Sequence, residues 1–126
     1  MQNEKVGSRA DIVERTFSFA LQIVKLCRGL ERTSGTSRSL SLQLLRSGTS
    51  VGANVEEAQA GQSKADFVSK MAIALKEARE TGYWLRLIRE SGIATTDSLA
   101  LLEQEASELA KILGAIISKA KRTSRT

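Results

Sequence analysis

Phe67, Met71, Ala74, Ala78, Thr81, Leu85 and Ile88 follow one another at alternating steps of four and three residues. That spacing keeps small and apolar side chains on one seam of an α-helix over three heptads and is incompatible with the two-residue period of a strand. A helix over 64–91 at 1.5 Å per residue is on the order of 40 Å long. Ser63 with Asp66 three residues on resembles a capping box in which Asp replaces Glu, and Gly92 is a C-terminal stop.

Three more segments carry helical periods. In 97–121, Leu99, Leu102, Ala106, Leu109, Leu113, Ile116 and Ala120 repeat the heptad. Asp97, Glu103 and Glu105 precede Lys119 and Lys121, as the helix dipole favours, and Thr95 or Thr96 can cap the start. In 8–30, Val13, Phe17, Ala20, Val24 and Cys27 form one row, widened by Ile12, Phe19, Ile23, Leu26 and Leu30. In 38–60, Leu40, Leu44, Ser47, Val51, Val55 and Ala58 are in phase, but Gly48 and Gly52 each cost a helix roughly 1 kcal/mol, which close approach of another helix offsets. The 126 residues include no proline to interrupt these helices. Four helices joined by short loops pack as an all-α, antiparallel up-down-up-down four-helix bundle in one domain, with 122–126 as a short, disordered basic tail.

The single cysteine, Cys27, permits no internal disulfide and points to a reducing compartment. The polar start lacks a signal-peptide core and no apolar run reaches the length of a membrane span, so a cytoplasmic protein without a membrane partner is expected. Glu56, Glu57, Glu77 and Glu80 offer carboxylates, but no histidine exists to complete a bundle metal site or to activate a nucleophile. No metal, no cofactor and no enzymatic activity are expected.

Arg46, Ser50, Asn54 and Glu57, at steps of four, four and three, form a polar row beside the apolar one. The run Arg46-Ser47-Gly48-Thr49-Ser50-Val51-Gly52-Ala53-Asn54-Val55-Glu56-Glu57-Ala58, followed by the Ala-Leu-x-Glu-Ala-x-Glu-Thr-x-Tyr-Trp-Leu pattern ending at Leu85, resembles the bacterial four-helix-bundle family of 23S rRNA intervening-sequence proteins. The accessory variability determinant of diversity-generating retroelements is similar in fold. The resemblance implies a ring-like homopentamer without established activity, and nucleic acid, RNA or DNA, as a partner. The chain departs from the family pattern at Thr33-Ser34-Gly35-Thr36-Ser37, where a proline and an aromatic often occur.

The polar row admits two roles: a binding site, or a network that fixes helix register through Glu77 or Glu80 on the third helix. The net charge of +5 favours an anionic partner. Arg79, Arg86 and Arg89 near Tyr83 and Trp84, with Lys119, Lys121, Arg122 and Arg125 at the C-terminus, are the candidate phosphate contacts, the alternative being a solvated face. Leu21, Trp84, Leu101 and Ile117 fall outside the main seams and are candidates for a homo-oligomer interface, core-edge packing being the other role open to Trp84. A protein–protein adaptor without nucleic acid is the second functional reading.

Overall fold

A computed structural model describes residues 9–30, 35–94 and 97–123. Four helices, α1 (Arg9–Leu30), α2 (Thr36–Gln59), α3 (Lys64–Glu90) and α4 (Asp97–Thr123), pack each against its chain neighbours, and α4 returns to α1. This is the antiparallel four-helix bundle that the periodicity predicts, with one continuous apolar core. The expected caps at Thr95 and Thr96 lie outside the described residues.

The seven seam residues of α3 are the seven buried ones. Ser63 caps the helix, its Oγ accepting from Asp66 N at 3.1 Å, and Gly92 ends it in the left-handed region at φ 78°. The glycines of α2 sit where α1 comes closest. A Cβ on Gly48 would meet Ile23 Cγ2 at 2.8 Å, and one on Gly52 would meet the Thr16 carbonyl oxygen at 3.1 Å. One turn further, Ser41 and Cys27 exchange contacts at 3.5 Å, Sγ to the Ser41 carbonyl and Oγ to the Cys27 carbonyl. Between α2 and α3, Thr81 Oγ1 donates to the Glu77 carbonyl at 2.7 Å and lies 2.9 Å from Ser47 Oγ, a fully buried pair whose hydrogen bond exists in one register only.

Three expectations need correction. In α1 the core row is Ile12, Thr16, Phe19, Ile23, Cys27 and Leu30, while Phe17, assigned to the main row, is 56% exposed. The bundle buries the row that fits over Gly48 and Gly52, which turns Phe17 outward. In α4 the seam steps from Leu113 to Ile117, leaving Ile116 half-buried, so Ile117 belongs to the core and not to an oligomer interface. A straight helix drifts by about 20° per heptad, enough to exchange these adjacent positions at the end of the seam. Finally, α4 continues through Arg122 to Thr123, whose Oγ1 accepts from Lys64 Nζ at 2.9 Å, so the expected disordered tail is helical as far as it is described.

Candidate functional site

The bundle divides the chemistry of α3 between two grooves. Towards α2, Arg46 donates to Glu77 Oε1 at 3.4 Å and pairs with the Glu80 carboxylate. Glu80 Oε2 also accepts from the Trp84 indole N–H at 3.0 Å. That hydrogen bond first, and the Arg46 charge second, hold the Glu80 carboxyl below its ordinary value. Ser50 and Asn54 do not join the cluster; each bonds back to its own helix, Ser50 Oγ to the Arg46 carbonyl at 2.7 Å and Asn54 Nδ2 to the Ser50 carbonyl at 2.8 Å. Glu57 is exposed further along α2. The six-residue polar motif therefore resolves into an interhelical network of Arg46, Glu77 and Glu80 and a separate self-bonded stretch of α2.

Towards α4, small residues let the outer side of the helix pair open into a groove of about 470 Å³. Ala78, Gly82, Ala106 and Ala110 leave its floor shallow, and Arg79, Arg86 and Lys111 border it together with one carboxylate, Glu103. Arg86 shares its charge with Glu90, Nε to Oε2 at 2.9 Å. Arg89 crosses to α4 instead, with Nη2 donating to Glu103 Oε1 at 3.1 Å, so its charge is compensated where the groove ends. Arg122 lies on nearly the same side of α4 as Lys111, about three turns further on, whereas Lys119 is rotated from that line by roughly a quarter turn. Lys121 is exposed in the same last turns, and Arg125 lies outside the described residues. The sequence missed Lys111, whose signal was its place two residues beyond the buried seam position Leu109, which turns it outward.

The ridge between the grooves carries Tyr83, 60% exposed, with its ring centroid 5.2 Å from that of Trp84 and the planes at 75°. Trp84 itself is half-buried against the core. Of the candidate interface residues, Leu21 and Leu101 are exposed, as are Phe17 and Leu42, which the sequence did not single out for an interface.

The α1/α4 seam is the least closely packed. Arg15 spans it, donating to Glu105 from Nε and Nη2 at 2.7 and 2.8 Å and to Glu108 from Nη2 at 2.9 Å, chiefly through the first pair raising its already high pKa. The partners are 90 residues apart in sequence, beyond any local pattern. Toward the other end of this seam, Gln22, Lys25, Leu26, Ser98 and Leu102 line a cleft of about 360 Å³.

Among the described residues no cluster of three or more His, Cys, Asp or Glu could hold a metal, and no helix is long and apolar enough to cross a membrane. Cys27 is buried between α1 and α2. Fold and site together define a small helical bundle whose accessible chemistry is charge and exposed apolar surface. The chain belongs to the family of 23S rRNA-intervening sequence proteins, whose sequence profile matches residues 8–115. It is similar to the crystal structure of a protein of unknown function from the S23 ribosomal protein family of Bacteroides thetaiotaomicron. The two share 39% identity at a TM-score of 0.79, over 87% of this chain and 97% of that one. No curated protein matches the chain.

Proposed function

We propose that the protein is a non-enzymatic, self-associating cytoplasmic scaffold, pentameric as the family resemblance implies, that contacts nucleic acid through the outer face of α3 and α4. The observation that carries this reading is the groove bordered by Arg79, Arg86 and Lys111 above a floor of small residues, where the one lining carboxylate, Glu103, is paired with Arg89. A floor without bulk lets a polyanion approach closely, and three cations at its edge neutralise phosphates with release of counterions. The family's name, which refers to sequences intervening in 23S rRNA, points to the same class of partner.

The test is retention of a labelled RNA or DNA oligonucleotide by the purified protein as salt is raised. Affinity should fall steeply with salt, and Lys111→Ala or Arg79→Ala should each reduce the slope of log affinity against log salt by about one. Absence of retention at low salt rejects the reading. The second reading, a protein–protein adaptor, draws on the exposed Phe17, Leu21 and Leu42; a partner held there would dissociate little with salt.

A further inference from the structure

We infer that Tyr83 is a stacking platform for an unpaired base, positioned by a chain of contacts from Arg46 through Glu80 and Trp84, so that the face takes single-stranded nucleic acid in preference to duplex. This rests on the reading above that the face contacts nucleic acid.

Arg79, Tyr83 and Arg86 stand at steps of four and three and therefore share one outward row of α3, with the aromatic between the two cations. The two arginines are about 10 Å apart along the axis. Tyr83 is 60% exposed, and beside it a hollow of about 200 Å³ is lined by Tyr83, Arg86, Leu87 and Glu90. The apolar wall of Leu87, the Arg86 guanidinium with its charge shared by Glu90, and the aromatic ring together suit the face of a base whose phosphates lie toward Arg79 and the outer side of Arg86. Bases in a duplex are already stacked on one another and cannot offer that face without being extruded, whereas those of a single strand can.

The ring is not a loose side chain on a helix surface. Its neighbour Trp84 meets it edge-on at 5.2 Å, Trp84 Nε1 is held by Glu80 at 3.0 Å, and Glu80 is held by Arg46 from α2. Arg46 is thus a positioning residue for a surface it does not touch. This gives the Arg46, Glu77, Glu80 network a consequence beyond helix register.

The experiment compares a fluorescein-labelled single strand with a duplex of equal length by fluorescence polarisation at low salt, with the melting curve of each variant recorded. The single strand should bind more tightly. Tyr83→Leu should weaken single-strand binding roughly tenfold while leaving duplex binding unchanged, and Tyr83→Phe should retain the wild-type value. Arg46→Gln should weaken single-strand binding in the wild-type background and have no further effect in Tyr83→Leu, the non-additivity expected if it acts through the ring. Equal binding of both forms, unaffected by Tyr83→Leu, overturns this inference and leaves the nucleic-acid reading standing. An Arg46→Gln loss that persists in full in the Tyr83→Leu background overturns the positioning role. Failure to retain either form removes both readings together.

Discussion

At the scale of single residues, helical glycines of one chain should respond in opposite directions to the same substitution. Gly48 faces Ile23, and the atoms a new Cβ would meet at 2.8, 2.9 and 3.2 Å are Cγ2, Cγ1 and Cβ, the branched root of a buried side chain with no free end to swing aside. Overpacking of a core costs typically 1–3 kcal/mol and outweighs the roughly 1 kcal/mol that alanine gains in helix propensity. Gly114 has nothing within 4 Å of the same position. Thermal melts should therefore show Gly48→Ala destabilised by about 1 kcal/mol and Gly114→Ala stabilised by about 0.5–1 kcal/mol. Glu80 adds a pH-dependent term. Its folded pKa lies below the ordinary 4.5, so its contribution is present above that value and is lost as the pH falls below it. Glu80→Gln should lose less stability than wild type between neutral pH and pH values under 4.5, measured by paired denaturant titrations.

At the scale of elements, α1 is the helix held by fewest means, since it meets α4 sparsely and Arg15 carries the ion pairs described between them. Because Arg15 and Glu105 are each about one quarter exposed, solvent screens part of their attraction, and Arg15→Gln should cost about 1 kcal/mol. The effect should be local: amide exchange should quicken in α1 more than in α3, and equal acceleration throughout the bundle would contradict it. The buried row of α1 is not fixed by its own spacing. Its two apolar rows lie side by side, and which one faces the core is decided by Gly48 and Gly52 on another helix. α3, clamped between α2 and α4, has a single unambiguous seam, and every seam position read from spacing is buried. The candidate site was half legible for the same reason. Spacing places Arg79, Arg86 and Arg89 near Tyr83 and Trp84, but only packing shows that Trp84 turns to α2, that Arg89 is compensated by Glu103 and that Lys111 joins the border of the groove.

At the scale of the whole molecule, a 13.7 kDa bundle with exposed apolar side chains and a groove bordered by three cations has little affinity to gain from one copy acting alone. Three rim cations, one of them shared with a glutamate, make few phosphate contacts, whereas a ring of identical subunits repeats the groove at fixed spacing and raises avidity without adding any contact type. Phe17 and Leu21, one turn apart on α1, are both about half exposed and lie outside the core, so they offer one apolar pair on which such a ring can be tested. Replacing both with lysine adds positive charge, so a loss of nucleic-acid binding in that variant would run against its electrostatics. The expected result is a particle that falls from several chains to the mass of one by light scattering, keeps its helical spectrum, and binds a long strand more weakly in spite of the added charge. A wild-type particle already at the mass of one chain at micromolar concentration would reject the assembly, and a variant that dissociates yet binds as tightly would reject avidity as the reason for it.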